Sequence, residues 1–259
     1  MSSLRPRVIP CLQFTQGELV KTRRFKDPVY LGDPINAVKL FNDLECDELV
    51  VIDIRATVED REPDYELIAE FASEAFMPLT YGGGVRTVEQ IRRILSIGIE
   101  KVVVGSAATD GRLVSEAARI LGSQSMVVAI DVHRSLFGRR EVYTRSGTRA
   151  TGTEPMEYAR RMEAAGAGEL FVQSIELEGA RSGYDVPFMQ QLSSAVAIPV
   201  IACGGAGGID HIRDLLKSST VAGAAAGTMF VLHGKHRAPL ISYPRPHEIA
   251  GLAAGTVPR

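Results

Sequence analysis

The sequence predicts an α/β fold in one domain: a (β/α)8 barrel made of two duplicated half-barrels, with a degenerate eighth helix. Three observations lead there. Eight short apolar runs alternate with amphipathic helical stretches. The runs are nearly continuous in apolar residues, as in parallel strands covered on both faces. One strand–glycine–helix unit occurs twice.

The runs are Val8–Phe14, Leu49–Ile54, Pro78–Tyr81, Val102–Gly105, Val127–Val132, Leu170–Ile175, Pro199–Cys203 and Ala222–Ala226. Between them, stretches such as "YELIAEFASEAF", "VEQIRRIL" and "PMEYARRMEAAG" repeat apolar residues at helical spacing. The repeated unit is "LTYGGGVRTVEQIRRIL" from Leu79 and "VIACGGAGGIDHIRDLL" from Val200, so Gly83 answers Gly204 at an offset of 121 residues. The same offset relates "ELVVIDI" at Glu48 to "ELFVQSI" at Glu169. An open doubly wound sheet gives no reason for that symmetry, whereas a barrel of two equal halves does. The halves fall at about 1–122 and 123–236 of a single 1–259 domain, and 237–259 reads as an irregular tail. Pro239, Pro244 and Pro246 stand where an eighth helix should form, so any helix there is short or displaced.

Composition narrows the function. Twenty-nine basic against 31 acidic residues leave a net charge of −2, which argues against nucleic acid or a membrane surface as partner. The three cysteines are scattered, without a CxxC, so neither a disulfide framework nor a metal site is expected, and no cofactor is called for. "MSSLRPRVIPCL" lacks a signal peptide's long apolar stretch, and no run reaches the ~18–20 apolar residues of a membrane span. A cytoplasmic protein is expected.

In such barrels chemistry sits at the C-terminal strand ends. Gly83 and Gly84 follow the third strand, and Gly204 and Gly205 follow the seventh; Gly105-Ser106 and Gly227-Thr228 end the fourth and eighth. These positions suit backbone amides that cradle phosphate at two opposite rims, or else simply tight turns. Asp131 ends the fifth strand, as a buried anchor or a general acid/base. The first strand ends in Gln13, which exchanges no proton near neutral pH. At the opposite mouth, Arg7, Glu48, Lys101 and Glu169 precede strands one, two, four and six. They are solvated strand starts or a closed ionic ring.

Taken together, "RVIPCL", "DELVVIDI", "YGGGVRT", "GSQSMVVAIDV", "GARSGYD" and "IACGGAG" resemble the HisF family, the cyclase subunit of imidazole glycerol phosphate synthase, over about Arg7 to Phe230. The resemblance implies a duplicated barrel, two phosphate sites that also take in Gly179, and a HisH-like glutaminase docked at the N-terminal face. It matches Arg7, Glu48, Lys101 and Glu169 to that family's ammonia gate, and Asp131 and Lys21 to its catalytic residues, with Glu178 beside them. Gln13 departs, standing where a second aspartate belongs, as do Gly105 for Asn, Gln173 for Thr, and Glu176 and Glu178 for Asp. "GKHRAPLISYP" resembles the glycosyl amidation-associated (WbuZ-type) branch. That branch implies a nucleotide-linked acetamido sugar as substrate and an adenylating amidotransferase as a further partner. An ordinary cyclase acting on a small phosphorylated substrate, and a non-catalytic scaffold that activates the glutaminase, are the alternatives.

Overall fold

The computed structural model describes residues 7–234 and 236–253; residues 1–6, Lys235 and the last part of the expected tail, 254–259, lie outside the described residues. Eight parallel strands close on themselves: β1 (Arg7–Thr15), β2 (Leu49–Asp53), β3 (Leu79–Gly82), β4 (Lys101–Val104), β5 (Met126–Arg134), β6 (Glu169–Ser174), β7 (Val200–Cys203) and β8 (Gly223–Ala226). Each pairs with its neighbours in order, and β8 returns to β1 through Arg7 opposite Gly223, so no sheet edge remains in the ring. The (β/α)8 barrel is therefore the fold.

Seven helices cover the outside: α1 (Pro34–Asp43), α2 (Tyr65–Glu74), α3 (Val88–Ile97), α4 (Arg112–Leu121), α5 (Pro155–Ala164), α6 (Val186–Ser194) and α7 (Ile209–Ser218). The repeated unit gives α3 and α7, with one difference. Thr87 and Gln90 close a reciprocal capping box on α3, whereas Gly208, the residue before α7, gives no side-chain cap.

Two hairpins were not foreseen in the sequence. Strands Glu18–Arg23 and Lys26–Gly32 follow β1, and strands Arg140–Thr144 and Arg149–Ala150 follow β5, so each half carries one at the same place. The tail also differs from the irregular segment expected. A four-residue α8 (Thr228–Val231) stands in the eighth helix position, and α9 (Pro246–Ala253) forms beyond it. Pro246 opens α9, a position where its missing N–H costs nothing. Ile249 and Leu252 are buried, and these anchor the helix.

Inside the barrel the side chains follow period two. Along β1 the inward row is Arg7, Ile9, Cys11, Gln13. Ile9 and Cys11 join Val50, Val103, Val127, Phe171, Ile201, Cys203 and Ala225 in one buried cluster, separate from the layer under the helices. Charged strand starts and polar strand ends thus share this inward face, with an apolar lumen between them.

Candidate functional site

At the N-terminal mouth the four charged strand starts form a closed ring. Arg7 Nη1 donates to Glu48 Oε2 at 2.6 Å, and Arg7 Nη2 to Glu169. Lys101 Nζ completes the circuit, 3.2 Å from Glu48 Oε1 and 2.9 Å from Glu169 Oε2. Thr80 Oγ1 adds a further donor to Glu48 at 3.2 Å. Burial alone would lower the Arg7 pKa, but Glu169 and Glu48 outweigh it and hold it above its ordinary value. The signs alternate around the ring, so each charge has two partners of opposite sign.

At the other end of the same strands, Gln13, Lys21 and Glu178 come together in one buried network. Gln13 Oε1 accepts from Thr22 N and Thr22 Oγ1, both at 2.9 Å, and from Lys21 Nζ at 3.2 Å. Its Nε2 donates to Glu178 Oε1 at 3.3 Å, while Lys21 pairs directly with Glu178. Burial pushes the Lys21 ammonium down, to about 8. Asp131 lies apart from this network. Its carboxylate has no hydrogen-bond or ion-pair partner among the described residues, and burial alone lifts its pKa to about 7. Both Gln13 and Asp131 line one cavity of about 450 Å³ over the lumen, whose floor is Val103, Ala129 and Phe171. A carboxyl that is half-protonated near neutral pH can take or give a proton there.

The glycine sites differ. Gly83, Gly84, Gly105 and Ser106 all line the large cavity. Gly179, Gly204, Gly205, Gly227 and Thr228 line an adjoining cleft of about 20 Å³, room for little more than one water, which shares Cys11, Gln13 and Gln173 with the large cavity. A backbone reason for glycine holds in both halves. A Cβ on Gly83 would lie 2.5 Å from Asp53 O, and one on Gly204 would lie 2.9 Å from Ser174 O, each at positive φ. Asp53 and Ser174 are 121 residues apart, so the duplication extends to these close approaches.

A model of the family described as histidine biosynthesis protein matches residues 7–237. Over 242 residues the chain is 48% identical to the "Putative imidazole glycerol phosphate synthase subunit hisF2" of Pseudomonas aeruginosa, covering 93% of this chain and 96% of that protein. It is 42% identical to the imidazole glycerol phosphate synthase subunit HisF of Limosilactobacillus fermentum over 88% of each. The chain belongs to the HisF family.

As a HisF-type synthase subunit it carries cavity residues that the sequence reading passed over. Arg55, Arg86 and Arg145 reach the large cavity from the loops after β2 and β3 and from the second hairpin. Arg86 stands within the quoted "YGGGVRT", two residues past the glycines, and that spacing was the available signal. Asp53 is engaged elsewhere: it accepts from Arg55 N and Ala56 N at 3.0 Å and pairs with Arg61 at 3.0 Å, fixing the loop after β2. Among the described residues no helix is long and apolar enough to cross a membrane.

Proposed function

We propose that this HisF-family subunit uses ammonia released by a HisH-like glutaminase docked on its N-terminal face. Its product is an acetamidino sugar, made with an adenylating amidotransferase from a nucleotide-linked acetamido sugar for surface polysaccharide. The observation that carries the proposal is the inward row of β1. A charge of the ring stands at the entrance (Arg7), Ile9 and Cys11 line the lumen, and at the exit an amide, Gln13, stands where the family resemblance calls for an acid.

Ammonia is small and neutral, so an apolar lumen admits it and rejects ammonium. Phe171 and Ile201 are the bulkier side chains buried in that lumen beside Ile9 and Cys11. Leu44 and Phe76, 41% and 87% exposed, lie in the loops before β2 and β3 on the ring's face of the barrel, where a partner would cover them. Among the described residues Asp131 is the one acid in the cavity free of hydrogen-bonded partners, and its role is to take the proton that the attacking ammonia sheds. The protein should be purified with its glutaminase, and glutamine hydrolysis and amidated-sugar formation measured with and without it. Both should depend on this subunit, and no dependence of either overturns the reading.

The second reading is a cyclase of imidazole glycerol phosphate synthase, favoured by the retention of Asp131 and Lys21. Ammonia-dependent turnover of the ribulosyl aminoimidazole carboxamide bisphosphate decides for it. Absence of turnover at high ammonia decides against it.

A further inference from the structure

The large cavity is one-sided. Its lining comes from β1 to β6 and their loops, and nothing from β7 or β8 reaches it, while the cleft beside those two strands holds about 20 Å³. Two guanidinium groups converge at its rim. Asp60 Oδ1 lies 3.2 Å from Arg86 Nη2 and 3.6 Å from Arg145 Nη1, so one anionic oxygen sits between arginines from two different loops. Asp60 is exposed, and it holds that place with a left-handed backbone, φ 54°, which a non-glycine residue adopts at a cost. Arg145 is fixed independently. Its Nη2 donates to Val58 O at 3.1 Å, its backbone N donates to Ser106 Oγ at 2.9 Å, and Ser146 Oγ donates to Ile54 O at 2.7 Å. Arg145 is therefore in place before any ligand arrives, and Asp60 holds the Arg86 guanidinium beside it.

We propose that Arg86 and Arg145 anchor the diphosphate of a ligand, with the Asp60 carboxylate as the placeholder it displaces. Planar guanidinium forks from two loops match the spread oxygens of a diphosphate. The group to be amidated would extend from the diphosphate across the same cavity toward Asp131, above the lumen. A ligand with a phosphate at each end would also need the second cleft, which Gln13, Lys21 and Glu178 line and which holds about 20 Å³. This inference rests on the reading that the cavity holds the ammonia acceptor, and it assigns the diphosphate of that acceptor to the rim formed by Arg86 and Arg145.

The test is calorimetric titration of the full chain at low salt, without glutaminase or ammonia, so that its failure is distinct from a failure of ammonia transfer. The probes are UDP, inorganic pyrophosphate and fructose 1,6-bisphosphate. UDP and pyrophosphate should bind, and the double variant Arg86→Gln, Arg145→Gln should weaken both by about 30-fold or more. Asp60→Asn should tighten both by roughly 3- to 10-fold, since it removes the competing charge but keeps the side chain's size. An affinity gain cannot arise from a misfolded variant, so this arm stands even if the double variant melts early. Fructose 1,6-bisphosphate should bind more weakly than UDP. The proposal is overturned if UDP and pyrophosphate bind the double variant as well as the parent. It is equally overturned if fructose 1,6-bisphosphate is the tightest ligand and loses affinity on Thr228→Val.

Discussion

Gln13 and Asp131 are counterparts in the two halves of the barrel. Gln13 stands opposite Ile52 on β2 and Val20 in the first hairpin; Asp131 stands opposite Gln173 on β6 and Tyr143 in the second. Ile52 and Gln173 are themselves related by the 121-residue offset. Equivalent positions thus hold an amide whose oxygen accepts three hydrogen bonds and an acid that, among the described residues, accepts none. One half is locked, and the other keeps a proton to exchange.

Restoring an acid at the locked position should destabilise the fold. Gln13→Asp removes the donor to Glu178 Oε1 and sets a second carboxylate beside it, with Lys21 shared between them. We expect a loss of about 1–3 kcal/mol near pH 8, smaller near pH 5 where one carboxyl can hold a proton. Chemical denaturation at the two pH values measures it. Equal losses at both would show that the new acid is not electrostatically coupled to Glu178.

Asp131 gives a pH signature of the opposite kind. Its pKa in the folded chain is about 7 against an ordinary 3.8, so the folded state keeps a proton that the unfolded chain gives up at lower pH. Its contribution to stability is fully present below about pH 4 and is lost as pH rises to about 7, by at most roughly 4 kcal/mol. Asp131→Asn should therefore melt with the parent protein at low pH and above it near pH 8. A melting difference that stays flat with pH would place the carboxyl in water.

What the sequence made legible followed from chemistry that is local or repeated. The eight barrel strands stand out because strands buried on both faces are apolar throughout, and Gly83 with Gly204 stands out because it recurs. The hairpin after β1 did not. "KTRRFKDPVY" is polar and contains Pro28, and the residues it buries beside β1 include Lys21 and Thr22, so no apolar run marks it. The ionic ring was legible as four strand starts, but its closure depended on strand order in space. The convergence of Arg86 and Arg145 on Asp60 was illegible for the same reason, since three separate loops supply it. The last helix was hidden by its prolines, which read as breakers until Pro246 is seen to begin it.

Tyr243 ties that tail to the start of β1. Its hydroxyl donates to Val8 O at 2.8 Å and accepts from Asp47 N at 3.2 Å, and its ring lies 5.7 Å from that of Phe230. Tyr243→Phe keeps the ring contact and removes both hydrogen bonds, which should cost about 1–2 kcal/mol. Limited proteolysis should then cut within 237–253 sooner than in the parent. An unchanged cleavage rate would mean that Ile249 and Leu252 hold the tail without the hydroxyl.

The ring should separate glutamine-fed from ammonia-fed chemistry. Glu48 accepts from Arg7, Lys101 and Thr80, so Glu48→Ala leaves two partly buried cations facing one remaining acid, Glu169. Unpaired buried charge is costly, and we expect about 1–3 kcal/mol of lost stability. Glu48→Gln keeps a hydrogen-bonding oxygen and should cost less. With the glutaminase bound, the ratio of glutamine-dependent to ammonia-dependent product should fall about 10-fold or more in Glu48→Ala, since opening the circuit lets water and ammonium compete at the lumen's entrance. A ratio that holds while stability drops would show that the ring only braces the strand starts, and ammonia would then have to enter the cavity from its open mouth.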